Sequence, residues 1–322
     1  MITTVVGNYP KVSPRSKASS LRTAWARFET GQITQEELEQ VMDEVTKEVL
    51  EEQAEAGVDL VTDGQIRWED GQTYFARRVR GFSIDGLTRY FDTNTYFRQP
   101  VVDGQLEWQG PITVKDFLFA KAHSPRPVKP VITGPYTLAR LSQAGAADLP
   151  SLVRELARVL NREALALQEA GAEIVQFDEP AILKWKEDFP LLEEAATILT
   201  KELTITTALY TYFKDASGLV PQLFQLPFQV IGLDFVMGPA NYQLIEGFPT
   251  VRHLAAGIVD ARNTRLESVP ELMKSIEQIA PFVPLDRLYV NPSCGLEFLP
   301  RLNAQAKLAR MVEGVSKAQE VL

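Results

Sequence analysis

The chain has 322 residues, enough for two ordinary domains or one large α/β barrel. Hydrophobic residues make up 45% and charged residues 23%, so there is ample material for a core, and the formal net charge is −9 with no basic run. That balance excludes a nucleic-acid backbone or an anionic membrane surface as partner, and no stretch approaches about 18 continuous apolar residues.

Cys294, the single cysteine, rules out an intramolecular disulfide and suits a reducing compartment. With no basic region followed by a long apolar stretch at the start, a cytoplasmic protein without a signal peptide is expected.

Ile2–Val6 reads as a strand that ends in the loop Gly7-Asn8-Tyr9-Pro10. Lys11–Ser20 is polar and irregular, and helical signals begin near Leu21. Thr34 with Glu37 forms a capping box, and Leu38, Val41, Met42, Val45 and Val49 follow at helical spacing as far as Gly57. Val58–Val61 is the next strand. The segment Glu55-Ala56-Gly57-Val58-Asp59-Leu60-Val61 is echoed by Glu169-Ala170-Gly171-Ala172-Glu173-Ile174-Val175, each copy a helix end, a glycine stop and a strand.

Glu69–Arg80 is expected to be helical. Tyr96–Gln109, centred on Asp103-Gly104, is expected to be a β-hairpin inserted at about residues 94–113 and overhanging the mouth. Helices are expected at Val114–Ala122, Leu149–Glu169, Leu191–Lys201, Glu267–Ala280 and Ala304–Val321. Strands are expected at Pro130–Thr133, Glu173–Phe177, Leu203–Leu209, Gln229–Phe235, His253–Val259 and Arg287–Val290. Eight strands alternating with helices give the α/β class and the (β/α)8 TIM barrel, a single barrel over residues 1–322. A doubly wound sheet is the alternative, but no GxGxxG follows the first strand.

The chain is organised around Ala172–Pro180, where a buried strand delivers Asp178 and Glu179. Paired acids at a strand's carboxyl end suit a site, while a helix cap followed by Pro180 explains them equally well. The other strand ends add Gln65 and Arg67, Tyr136, Tyr210 and Tyr212, Asp234, Asp260 and Arg262, and Asn291 to Gly295. Such a set suits a small molecule carrying an amine and a carboxylate, with a tyrosine stacking on a ring. Each residue also has a plainer reading. Cys294 by default is a small buried hydrophobe, His123 and His253 suit surface and structural roles, and Trp68 and Trp108 suit packing or a lid. The spacing of the cysteine and the histidines forms no zinc motif.

These motifs, VVGNYPK, VITGPYTLAR, IVQFDEPAI, TYFKDA, IGLDFVMGP, GIVDARNTR and YVNPSCGLEFLP, resemble the cobalamin-independent methionine synthase family over nearly the whole chain. The resemblance implies a TIM barrel and a methyltransferase of methionine biosynthesis. In that family a zinc ion holds homocysteine as thiolate, and the methyl group comes from a methyltetrahydrofolate or a methyl-corrinoid. It further implies that the backbone of Gly7 and Asn8 contacts the amino acid and that Asp178 holds its ammonium. Gln65 falls where the zinc-bearing barrel has a glutamate, and Cys294 on a zinc cysteine. The His-x-Cys ligands fall on Leu209-Tyr210-Thr211 and the glutamate ligand on Asp234. TYFKDA, GLDFVMGP and IVDARNTR look like the zinc-free N-terminal barrel of double-barrel members.

Two functions follow as expectations. In the first, an S-methyltransferase moves a methyl group from a folate or corrinoid to a thiol such as homocysteine. Asp178, Cys294 and Asp234 are then catalytic, Arg67 and Arg262 meet carboxylates, and Tyr136 or Tyr212 stacks the donor. In the second, a non-catalytic barrel binds folate or substrate beside a separate zinc-bearing barrel or a corrinoid protein. A decarboxylase of the uroporphyrinogen type, with the same architecture, is a third option.

Overall fold

The computed structural model describes residues 1–12 and 19–322, so the central part of the irregular stretch expected at Lys11–Ser20 lies outside the described residues. Seven parallel strands form one curled sheet in the order β1 (Ile2–Thr3), β9 (Leu288–Pro292), β8 (His253–Val259), β7 (Val230–Asp234), β6 (Thr206–Tyr210), β5 (Ile174–Asp178) and β4 (Val131–Thr133). Single parallel bridges, Thr4 to Leu60 and Val61 to Val128, insert the 58–61 segment between β1 and β4. The ring is thereby closed with eight staves, the arrangement expected of a TIM barrel. The remaining strands, β2 (Val79–Arg89) and β3 (Tyr96–Trp108), form a separate antiparallel ribbon.

The helices are α1 (Ser19–Glu29), α2 (Gln35–Glu55), α3 (Thr73–Ala76), α4 (Val114–His123), α5 (Pro135–Leu141), α6 (Leu149–Glu169), α7 (Phe189–Leu199), α8 (Asn241–Leu244), α9 (Val269–Ile279) and α10 (Arg301–Val321). The Thr34–Glu37 capping box opens α2.

The sequence echo has a geometric cause. At the end of α2, Gly57 N–H bonds to Ala54 O and Val58 N–H to Gln53 O; at the end of α6, Gly171 bonds to Gln168 O and Ala172 to Leu167 O. Both glycines have positive φ, +86° and +83°. These are paired Schellman closures, each turning a helix back into the next stave.

The hairpin differs from the sequence expectation. The segment 69–80 is helical only at Thr73–Ala76 and enters β2 at Val79, because pairing with β3 outweighs local helical preference. The turn lies at residues 90–95, where Thr93 N–H and Thr93 Oγ1 both bond to Tyr90 O. Asp103-Gly104 sits where the pairing slips between Arg80 opposite Glu107 and Phe82 opposite Val102. A two-residue type I′ turn needs positive φ at both residues, and neither residue has it, whereas Gly81 across the ribbon does (φ +91°). A Cβ on Gly81 would lie 2.4 Å from Gln105 O. The dipeptide therefore marks a bulge, and the hairpin spans Val79–Trp108 instead of residues 94–113.

Glu163 on α6 fixes the ribbon's return. This fully buried carboxylate accepts from Trp108 Nε1 (3.0 Å), Ile112 N (2.8 Å), Thr113 N (2.7 Å) and Thr113 Oγ1 (2.9 Å). Among the described residues, no helix is long and apolar enough to cross a membrane.

Candidate active site

A cavity of about 430 Å³ opens at the carboxyl ends of the staves. The barrel supplies Asn8, Gln65, Thr133, Asp178, Tyr212 and Glu297 to its wall, and the hairpin supplies Tyr90, Thr95, Tyr96 and Phe97. The hairpin thus roofs the bowl, with Tyr90 Oη 3.5 Å from Tyr212 Oη.

Alternation along β5 decides what each acid does. Gln176 and Asp178 share a face. Gln176 Nε2 donates to Val6 O (2.7 Å) and to Asp178 Oδ1 (2.6 Å), while Tyr212 Oη donates to Asp178 Oδ2 (3.3 Å). Glu179 turns away and accepts from Tyr136 N (2.9 Å) and Thr137 N (2.6 Å) at the start of α5. A Cβ on Gly134 would lie 2.2 Å from Glu179 Cδ, so this tie needs glycine there. Of the adjacent acids, Asp178 faces the cavity and Glu179 is structural.

Burial pushes the Asp178 carboxyl up to about 7, against the lowering effects of Gln176, the Lys129 charge and Tyr212. Lys129 is buried inside the barrel, its Nζ donating to Val5 O (2.9 Å) and lying 4.7 Å from the Tyr210 ring centroid. Burial draws it down to about 7.

Three further residues give the cavity its character. Glu297 follows β9 on a short 3-10 turn that folds it back over Gly295; a Cβ on Gly295 would lie 2.1 Å from its Oε2. That turn is tied to the first stave by Leu296 N–H donating to Asn8 O (2.9 Å). Burial raises Glu297 to about 7, Asp178 adds to the rise, and Lys11 opposes it. Lys11, whose Nζ donates to Trp68 O, is pulled down by burial and sustained by the surrounding acids, Glu297 foremost. Trp68 and Gln72, 4% and 2% exposed, line the same cavity, and Trp68 Nε1, Gln72 Oε1 and Glu297 Oε2 are buried with no hydrogen-bond partner. Three orphaned polar atoms on residues lining one cavity point to a polar occupant.

The family now follows from comparison. A family model described as the catalytic domain of cobalamin-independent synthases matches residues 1–317. The chain belongs to the cobalamin-independent methionine synthase family. It is a methyltransferase. The methionine synthase of Saccharolobus solfataricus is 33% identical over 99% of this chain and 95% of its own length, and that of Sulfurisphaera tokodaii 34% identical over 99% and 93%. Among solved structures, a B12-independent methionine synthase from Shewanella sp. W3-18-1 in complex with selenomethionine superposes with a TM-score of 0.83 at 22% identity, covering 99% of this chain and 97% of that one. A second, from Listeria monocytogenes and described as a putative vitamin-B12 independent methionine synthase, gives 0.76 at 18% identity over 98% of both chains. These two likenesses support the fold.

The structure gathers only part of the expected site. Asn8, Gln65, Asp178 and Tyr212 meet at the cavity, with Gly7 behind Gln65: a Cβ on Gly7 would lie 2.8 Å from Gln65 Nε2. Arg67 lies outside it. Arg67 pairs with Asp43, has Nε 3.5 Å from Asp116, and faces a neighbouring cleft of about 880 Å³ across a partition of Lys11, Trp68 and Glu69. Tyr136 is fully buried and its hydroxyl donates to Asp188 (2.7 Å), because α5 carries the ring behind the wall. Arg262 reaches outward to Asp92 on the hairpin turn (3.4 Å).

The residues on which the resemblance places the zinc ligands do not fit the ion. Asp234 Oδ1 and Oδ2 together accept from Phe213 N (3.0 Å), Val236 N (2.9 Å) and Met237 N (2.8 Å), so the carboxylate pins two loops. Cys294 Sγ donates to Gly295 O (3.5 Å), and burial together with Glu297 and Asp234 holds the thiol well above its usual range, against the thiolate that zinc needs. Thr211 Oγ1 donates to Gly232 O (3.1 Å), and Tyr210 packs on Gly232. Among the described residues no three His, Cys, Asp or Glu side chains group so as to hold a metal, and a protein zinc site takes three or four ligands.

Lys11 and Glu297 were within reach of sequence reasoning, in VVGNYPK and CGLEF. Their role depends on loops folding back across the bowl, which residue spacing does not encode. Gln72 and Tyr90 carried no sequence signal.

Proposed function

We propose that this chain, acting as one barrel in the cytoplasm, moves a methyl group from a folate or corrinoid donor to the thiol of an amino acid such as homocysteine. The acceptor occupies the 430 Å³ cavity. The observation that carries this reading is the pairing of opposite charges within one cavity: the acids Asp178 and Glu297, and the ammonium of Lys11 beside the Trp68 N–H. A zwitterion satisfies both sides at once. That the Shewanella relative was solved with selenomethionine supports an amino acid in this position. The adjoining cleft, with Trp25, Phe28, Tyr74 and several arginines, suits the ring and acidic tail of a folate.

A second reading is favoured by the donor set at Asp234 and Cys294. In it the barrel binds substrate and a separate zinc-bearing barrel supplies the metal step. One experiment addresses both: purified protein of known metal content is given homocysteine with each methyl donor, with and without a zinc-bearing barrel. Methionine formed by the chain alone supports the first reading, and methionine formed only with the added barrel supports the second. No product in any arm, with no calorimetric heat from homocysteine, overturns both.

A further inference from the structure

Gln65, an uncharged amide, and the acid Asp178 both line the cavity. The cavity, however, holds a second carboxylate from another stave. Glu297 enters from the turn after β9, lines the same cavity as Asp178, and presents a buried Oε2 without a partner. We propose that Glu297 is a second acid of the amine site, so that Asp178 and Glu297 together grip the ammonium of the amino acid while Lys11 and the Trp68 N–H face its carboxylate. This rests on the amino-acid reading above and names the residue that selects for the amine.

Geometry favours a cationic occupant over a structural role for Glu297. Asp178 is hydrogen-bonded by two neutral side chains, Gln176 and Tyr212, and among the described residues neither Asp178 nor Glu297 forms a salt bridge, Lys129 and Lys11 acting on them only at longer range. Lys11, the cation facing Glu297, instead has its Nζ on Trp68 O. Four carboxylates, Glu69, Asp70, Asp178 and Glu297, line the cavity against one lining ammonium, Lys11, which also feels Asp63, and Lys129 lies below Asp178. Two acids in one cavity repel each other until a cation lies between them. The orphaned atoms of Trp68 and Gln72, both more than nine-tenths buried, independently mark the cavity as built for a ligand.

The test measures binding of L-methionine and of its des-amino analogue, 4-(methylthio)butanoate, to the wild type, Glu297→Gln and Glu297→Asp. In the expected result Glu297→Gln weakens L-methionine about 10- to 100-fold, the range for a lost charged hydrogen bond. The analogue changes less than about twofold, and Glu297→Asp recovers part of the loss. Thermal unfolding with and without ligand confirms that the variants fold. If the wild type prefers methionine to the analogue but Glu297→Gln does not alter that preference, the clamp is wrong and the amino-acid reading survives. If the wild type binds neither compound, the reading fails and the clamp with it.

Discussion

Two acidic neighbourhoods lie at the same end of the barrel, and they differ in how well their polar groups are satisfied. Asp234 accepts three backbone N–H groups and Cys294 donates to the adjoining carbonyl. In contrast, Glu297, Trp68 and Gln72 each keep an unpartnered buried atom. A buried polar group is ordinarily paired, so Asp234 and Cys294 are complete as protein, while Glu297, Trp68 and Gln72 are completed by something else. Asp234 in this chain fastens loops, and the unpartnered atoms of Glu297, Trp68 and Gln72 lie across the bowl.

The sharpest way to break this contrast is Asp234→Asn. Orphaning buried N–H donors costs about 1–3 kcal/mol each, so unfolding in urea should show a loss on the order of 3 kcal/mol with methionine affinity retained. Undiminished stability with lost activity would return Asp234 to the chemistry. Next, Asp178→Asn should reduce amino-acid affinity by roughly 1.5–3 kcal/mol, the worth of a charged hydrogen bond; calorimetry showing no change would remove Asp178 from the site.

A smaller effect concerns pH. Asp178, Glu179 and Glu297 are each raised to about 7 by burial. Each binds its proton more tightly when folded, so the stability tied to that proton is complete below about pH 4 and is lost as pH rises to about 7. Glu297→Gln should therefore gain on the wild type across that window, by about 1–2 kcal/mol allowing for partial exposure, and hold a constant lead above it. Urea midpoints taken every half pH unit measure the gap, and a gap independent of pH would contradict the buried state of Glu297. The smallest effect belongs to Arg262→Ala. Its Asp92 partner is 73% exposed, so stability should change by less than about 1 kcal/mol. Stopped-flow binding should show faster ligand entry as the hairpin turn loosens.

The barrel was legible because each βα unit carries its own local signals: Gly57 and Gly171 close their helices by the same bonds, and Thr34 with Glu37 opens α2 as its capping box predicts. The hairpin turn was not, since Asp103-Gly104 has the residue types of a turn but its backbone follows a slip in pairing imposed from Gly81. At the site, Asp178 could be read because it ends a strand, and strand ends of a barrel meet. Arg67, Tyr136 and Arg262 follow strands too, yet they point elsewhere; strand position fixes where a Cα lies and leaves the side chain to its neighbours. Glu297 is not legible from spacing, because its placement depends on the bond from Leu296 N–H to Asn8 O, between residues at opposite ends of the chain.

Glu163 touches nothing in the cavity, yet the ceiling hangs from it. Four hydrogen bonds converge on that one side chain of an outer helix and anchor the ribbon that carries Tyr90 and Phe97 overhead. The outer ring therefore governs the canopy at a distance, and a change at Glu163 would reach a bound molecule as a slackened awning.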